Sequence, residues 1–298
     1  MVLKKIDELI EIAKSKETRV LAVAASADKH VVEAVANAAK DNIVIPIFVG
    51  NEKLTKEYAE VAGLKIENIR FINEINDAKA CAIAVNLVRE GKADILMKGQ
   101  VATATLLKAV LDKENGLRTG STLSHFALFE SPYYHKLIGV TDAAMNVAPE
   151  FQDKVSIVKN AVSAMQGIGI EMPKLAVIGP VEVVNPKIES TVHAAMLTQM
   201  NKRGQISNCI IDGPLAIDNA VSKEACQQKK IVTEVGGDAD ILMAPELNAA
   251  NILYKMFSFM GGAVSAAVIL GAKCPIVLTS RADSEHTKLL SIAFAAAM

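Results

Sequence analysis

Short apolar runs alternate with helix-period segments along the whole of this chain, and that alternation restricts the fold more than any single residue does. Apolar runs of strand length stand at 20–24, 43–49, 94–97, 137–140, 175–178, 209–211, 241–243 and 276–278. Between them, apolar residues recur with helical spacing over 3–15, 28–40, 77–90, 102–112, 151–167, 189–202 and 249–259. Strands that alternate with helices pair in parallel through right-handed crossovers. Composition agrees. Half the residues are apolar, yet aromatics make up only 4% and Trp is absent. Ala, Val and Ile are the usual filling of a parallel sheet covered by helices.

One word is repeated. Ala93-Asp94-Ile95-Leu96-Met97 recurs as Ala239-Asp240-Ile241-Leu242-Met243, about half a chain away. Each copy reads as a strand, a turn and a helix, which suggests two similar α/β halves flanking a cleft. At 298 residues the chain can form one large domain or two ordinary ones. The expected division is a first α/β domain of 1–136 plus 280–298 and a second of 137–279.

Several function classes lose weight. A net charge of −1 provides no overall field for nucleic acid or an anionic membrane. Four scattered cysteines without CxxC spacing argue against zinc and against a disulfide framework. The start of the chain reads as an amphipathic helix rather than a signal peptide. Glycines interrupt the longest apolar stretch before it reaches the roughly 20 residues that span a bilayer. A cytoplasmic protein is expected. GxGxxG, GxxxxGK[ST], HExxH and GxSxG are all missing.

Chemistry is sought at the carboxyl ends of strands, where open α/β sheets bind ligands. Lys98-Gly99 ends one strand, ahead of Thr103 and Thr105. A lysine there neutralises a phosphoryl or carbonyl oxygen, and Gly99 lets backbone approach a ligand. The second copy has Ala244-Pro245 instead, which points to the first half as the phosphate side. Of six arginines, two lie among small polar residues: Arg118, between Gly116-Leu117 and Thr119-Gly120-Ser121, and Arg281, between Thr279-Ser280 and Ala282-Asp283-Ser284. The guanidinium fork suits phosphate. Ser280 is a candidate helix N-cap, whose free N–H groups attract an anion. Asp142 with Asn146 follows another strand and either orients a ligand or caps the next segment. Asp212-Gly213-Pro214 reads as a structural turn. His125 and His286 are candidates for proton transfer, whereas His30 and His193 read as surface residues.

Taken together and in order, these segments resemble the phosphate acetyltransferase/phosphate butyryltransferase family, most closely its butyryl branch. Val184-Asn185-Pro186-Lys187 and Pro245-Glu246-Leu247-Asn248, with Asn251 and Tyr254-Lys255, add to the match. The resemblance covers essentially the whole chain. It implies a two-domain α/β fold like that of the isocitrate and isopropylmalate dehydrogenases, with the active site in the interdomain cleft. It also implies the reaction acyl-CoA + phosphate ⇌ acyl phosphate + CoA, through a ternary complex without an acyl-enzyme. No tightly bound cofactor or metal is implied; coenzyme A is a substrate, and the assembly is a homo-oligomer.

Within that resemblance Ser280, Arg281, Asp283 and His286 become the catalytic candidates, and Lys98, Thr103, Arg118, Ser121, Asp142 and Asn146 the substrate-binding ones. Ser280 would steady the oxyanion. Arg281, with Lys98 or Arg118, would hold the departing phosphate. A thiol needs a base or a positive field to become a thiolate near neutral pH. In the acetyl enzymes an aspartate six residues after the Ser-Arg arginine is taken as that base; here the position is Thr287. The base lies among Asp283, Glu285 and His286, with His286 favoured on intrinsic pKa. Two other classes compete: a metal- and NAD-dependent decarboxylating dehydrogenase, and a non-catalytic acyl-CoA-binding protein.

Overall fold

The computed structural model describes residues 2–279 and 283–298. In chain order they form α1 (Glu8–Lys14), β1 (Arg19–Ala24), α2 (Lys29–Lys40), β2 (Val44–Gly50), α3 (Glu52–Val61), β3 (Arg70–Asn73), α4 (Asp77–Arg89), β4 (Ile95–Lys98), α5 (Thr103–Val110) and β5 (Ser124–Glu130). There follow β6 (Ile138–Thr141), α6 (Phe151–Gly167), β7 (Lys174–Ile178), α7 (Glu189–Lys202), β8 (Ile210–Leu215), α8 (Ile217–Val221), α9 (Lys223–Gln228), β9 (Ile241–Met243) and α10 (Leu247–Lys255). The chain closes with β10 (Val264–Leu270), β11 (Ile276–Val277) and α11 (Glu285–Ala297). No helix among the described residues is long and apolar enough to cross a membrane.

The chain parts into two compact units. A terminal unit comprises Asp7–Ser121 with Ala266–Met298, and a central unit Met1–Ile6 with Thr122–Ser265. In the terminal unit the strands run β3-β2-β1-β4-β11-β10. All neighbours are parallel except β11 and β10. Each of the first three crossover helices begins on a side-chain cap: Asp28, Asn51 and Asn76 accept the backbone N–H groups of Val31, Leu54 and Lys79. Each cap satisfies a donor that the first helical turn would otherwise leave orphaned. Helix α11 packs on α1 and α2, and Leu290, Ile292 and Phe294 are fully buried.

In the central unit the order is β5-β6-β9-β7-β8, parallel apart from β5 against β6. The first residues join this unit through Glu130, which accepts from the Ile6 N–H at 2.8 Å and from Lys5 at 2.7 Å.

The repeated word has a physical reason. Asp94 accepts the Val20 N–H at 2.8 Å through its carboxylate, while its own N–H donates to the Val20 carbonyl at 2.8 Å. Asp240 does the same with Lys174, at 2.7 Å in both directions. Each aspartate clamps the start of its strand to the parallel neighbour, β4 to β1 and β9 to β7. The two copies therefore occupy equivalent places in their units.

All eight expected strands and all seven expected helices form, most with boundaries within about two residues of the periodicity. The pattern missed β3, β5, β10, α3, α8 and α9. β3 is a short edge strand without clean alternation. Asp212-Gly213-Pro214 is not a turn; it lies inside β8, where the register shifts against β7. A Cβ on Gly213 would stand 2.7 Å from the Val177 carbonyl oxygen, so glycine permits the close pairing. The division differs from the expected one: Met1–Ile6 and residues 122–136 belong to the central unit, β5 through its antiparallel pairing with β6, and 266–279 to the terminal unit, β11 through its pairing with β4.

Candidate active site

Of the expected site residues, Lys98, Thr103, Arg118, Ser121, Asp283 and His286 belong to the terminal unit, and Asp142 and Asn146 to the central unit. Ser280 and Arg281 lie outside the described residues.

Lys98 is the last residue of β4 and only 7% exposed. Its amine donates to the carbonyls of Gly99 and Val101 at 3.2 and 3.3 Å. Those bonds fix the amine, with its donors, at the strand end. The solvated lysine that a strand end ordinarily carries is not what is seen. Gly99 serves a packing purpose: a Cβ there would overlap the Ala25 carbonyl and lie 2.8 Å from the Ala24 carbonyl oxygen. The space above it belongs to the turn after β1, not to a ligand.

Helix α5 starts at Thr103, four residues beyond Gly99, with Ala102 as its N-cap and no side-chain cap bond. Of its first-turn N–H groups, that of Thr105 donates to the Ala102 carbonyl at 3.0 Å. Arg118 is exposed, and its backbone bridges to Ala272. The neighbouring Thr119 hydroxyl donates to the Gly271 carbonyl at 2.7 Å and accepts from the Ser121 N–H at 3.2 Å. Those contacts order the loop that carries Arg118.

Asp142 is 4% exposed and its carboxylate is heavily used. One oxygen accepts the N–H groups of His125, Ala144 and Met145 at 3.0–3.1 Å. The other accepts from the Asn146 N–H at 2.9 Å and the Asn146 side-chain amide at 2.5 Å. That amide also donates to the Leu123 carbonyl at 2.7 Å. Of the two roles expected for Asp142, the cap is the one these bonds perform. His125 is buried in β5, edge-on to Tyr254 at 5.7 Å.

At the C-terminal segment the N-cap of α11 is Ser284, which accepts the Thr287 N–H, rather than the expected Ser280. Glu285 accepts from Asn37 of α2 at 2.5 Å. His286 stays half-exposed, its Nε2 3.3 Å from an Asp7 carboxylate oxygen. The Asp283 carbonyl accepts from the Lys288 amine at 2.5 Å.

All four cysteines are free and buried. Burial pushes the Cys81 and Cys209 thiols up to about 11 and that of Cys274 up to about 12. None of these three is a thiolate near neutral pH.

Sequence reasoning missed Lys154 and misplaced His193. His193 is half-buried in the central unit, with its Nδ1 3.0 Å from the amine of Lys154, itself only 5% exposed. Helical spacing alone marks neither, because their partners stand in different helices.

A family model described as phosphate acetyl/butaryl transferase matches residues 52–296. The chain belongs to the phosphate acetyl/butaryl transferase family. Within it, the chain is 46% identical to a phosphate butyryltransferase of Clostridium acetobutylicum, over 99% of this chain and 98% of that one. It is 43% identical to a phosphate acetyltransferase of Thermotoga maritima, covering 98% of each. A crystal structure of a branched-chain phosphotransacylase from Enterococcus faecalis V583 superposes with a TM-score of 0.80 at 33% identity, covering 93% of this chain and 98% of that one.

Proposed function

We propose that this protein is a phosphate acyltransferase that interconverts a short-chain acyl-CoA and phosphate with an acyl phosphate and CoA, butyryl-CoA being its preferred donor. The carrying observation is the near-full-length similarity to phosphate butyryltransferase, at 46% identity. The terminal unit supports it with a buried amine, Lys98, at a strand end that leads to a helix without a side-chain cap.

In this reading the CoA sulfur attacks the carbonyl carbon of the acyl phosphate, and the sulfur's proton passes to a base. The carbon–sulfur bond forms, the carbon–oxygen bond to phosphate breaks, and phosphate leaves with the bonding pair. Ser280 and nearby N–H groups steady the oxyanion, and loss of one such donor costs about 2.7–4 kcal/mol of barrier. Arg281, Lys98 and Arg118 take the phosphate charge, with Thr103 and Ser121 as added donors. Glu285 is engaged by Asn37, and the base is assigned to His286 on intrinsic pKa, its Nε2 lying 3.3 Å from an Asp7 carboxylate oxygen. Asp142 and Asn146 act by shaping their loop. Buried cysteines with raised pKa values agree with direct transfer rather than an acyl-enzyme. CoA is a substrate, not a resident cofactor. The finer likeness to isocitrate and isopropylmalate dehydrogenases, a homo-oligomeric state and a cytoplasmic location belong to the same proposal.

Purified protein should release CoA thiol from butyryl-CoA only when phosphate is present, and Arg281→Ala should lower that rate at least tenfold with the fold intact. Phosphate-independent release, or none with any short acyl-CoA, refutes the assignment. The 43% identity to an acetyl enzyme favours acetyl-CoA as the second candidate donor. The two acyl groups differ by two methylenes, roughly 0.8 kcal/mol each on burial, so kcat/KM for both decides between them.

A further inference from the structure

A cavity of about 500 Å³ opens in the central unit, between the first turns of α6 and α7 and the Pro245-Glu246 turn ahead of α10. Every residue that lines it belongs to that unit. The volume is within the range of about 300–1,000 Å³ common for small-molecule sites. Phe151, Pro149 and Pro245 give it apolar walls. Phe151 and Lys154 are three residues apart on α6 and share one face of it, so the lysine joins the lining.

The setting of that lysine is unusual. Lys154 is only 5% exposed. Buried charges are ordinarily paired with an opposite charge. Here the hydrogen bond of the amine goes instead to an imidazole, at 3.0 Å from His193 Nδ1. Glu189 and Glu246 act on Lys154 through charge at longer range. Glu246 is occupied in capping α10 through the N–H groups of Asn248 and Ala249, and Glu150 shares a capping box with Asp153 at the start of α6. Burial, against the opposing pull of Glu189 and Glu246, lowers the Lys154 pKa and enlarges its neutral amine population. Burial, followed by the Lys154 charge, lowers the His193 pKa. The ring is therefore neutral near pH 7, with Nδ1 facing the amine and its proton on Nε2. A nucleophile in contact with a proton acceptor, beside a cavity that can hold an electrophile, is the arrangement that covalent chemistry needs.

We propose that Lys154 is a self-acylation site, its amine taking a short acyl group from a thioester held in this cavity, with His193 as the proton acceptor. The Nζ lone pair attacks the thioester carbonyl carbon. The carbon–nitrogen bond forms, the carbon–sulfur bond breaks, and sulfur leaves with the bonding pair. The proton lost from nitrogen passes to His193 Nδ1 and then to the departing sulfur, giving an amide and a free thiol. The amide removes the Lys154 charge and lays its alkyl chain against the apolar walls.

Charge selects the donor. Glu150, Glu189 and Glu246 line the cavity against the single cation Lys154. They disfavour an acyl phosphate, whose reacting end is anionic, and tolerate a thioester, whose reacting end is neutral. The choice of an acyl group rests on the acyltransferase reading above; the nucleophile and its acceptor rest on the central unit alone.

The test incubates the full chain with S-butyryl-N-acetylcysteamine, a neutral thioester, and follows each lysine by peptide mass spectrometry. Lys154 should gain a butyryl group about tenfold faster than the exposed Lys29 and Lys92. His193→Gln keeps an acceptor for the amine but no base. It should slow Lys154 about tenfold and leave Lys29 and Lys92 unchanged, which also reports an intact fold. With butyryl phosphate the preference for Lys154 over Lys29 should shrink about threefold or more. Labelling of Lys154 no faster than of the exposed lysines overturns the proposal, as does a wild-type rate in His193→Gln. Equal preference with both donors overturns the thioester assignment. Labelling of Lys154 in a protein without phosphate-dependent thiol release would refute the acyltransferase reading and leave the modified lysine standing; release without labelling does the reverse.

Discussion

Replacing Asp142 with Ala tests how the loop after β6 is held. The carboxylate satisfies five donors at once: four backbone N–H groups and the Asn146 side-chain amide. The His125 N–H is buried and has no route to water once the carboxylate is gone. A buried donor left unpaired costs about 1–3 kcal/mol. The other four are partly buried and regain some hydration, so each contributes about 0.5–1 kcal/mol. The sum is about 3–7 kcal/mol, a large share of the 5–15 kcal/mol that typically holds a folded protein. Asp142→Asn should cost less. Its remaining oxygen can keep the three bonds to His125, Ala144 and Met145, while its NH2 group faces the two Asn146 donors. Urea unfolding read by tyrosine fluorescence measures this well, because Trp is absent and three of the four tyrosines (Tyr133, Tyr134 and Tyr254) lie in the central unit. An Asp142→Ala protein whose midpoint and slope match wild type to within about 1 kcal/mol would refute the role assigned to this carboxylate.

Asp238 offers a pH test. Burial raises its pKa, but hydrogen bonds from Lys174, His135 and Lys136 outweigh burial and hold it well below the usual carboxylate range. A depressed folded pKa adds stability that is fully present above the unfolded value of about 3.9 and is lost as pH falls through the folded value. Asp238→Asn should therefore be less stable than wild type at pH 7, and the gap should narrow as pH drops below about 4; parallel urea midpoints from pH 4 to pH 2 would contradict this. The buried cysteines, with thiols pushed up to about 11 or 12 at Cys81, Cys209 and Cys274, should react with iodoacetamide at pH 7.5 at least about a hundredfold more slowly in native protein than in urea. Comparable native and unfolded rates at these positions would show that they are accessible.

Much of the fold was legible because helix and strand periods are local properties of the chain. The runs at 20–24, 175–178 and 241–243 need only their own residues to declare themselves strands, and Asp28, Asn51 and Asn76 mark helix starts through bonds that span three residues. The ordered segments around Lys98, Arg118, Asp142 and Arg281 likewise carried the family without coordinates. What the sequence could not decide was which polar group meets which. Lys98 and a solvated lysine look alike until carbonyls are placed 3.2 and 3.3 Å from the amine. Asp142 draws one of its donors from His125, 17 residues away. Lys154 and His193 stand 39 residues apart on different helices, and only packing turns two ordinary helical residues into the floor of a cavity. The repeated Asp94 and Asp240 show both sides. The recurrence is visible in the letters, but its cause, a carboxylate clamping one parallel strand to the next, exists only after Val20 and Lys174 have been brought alongside by the fold.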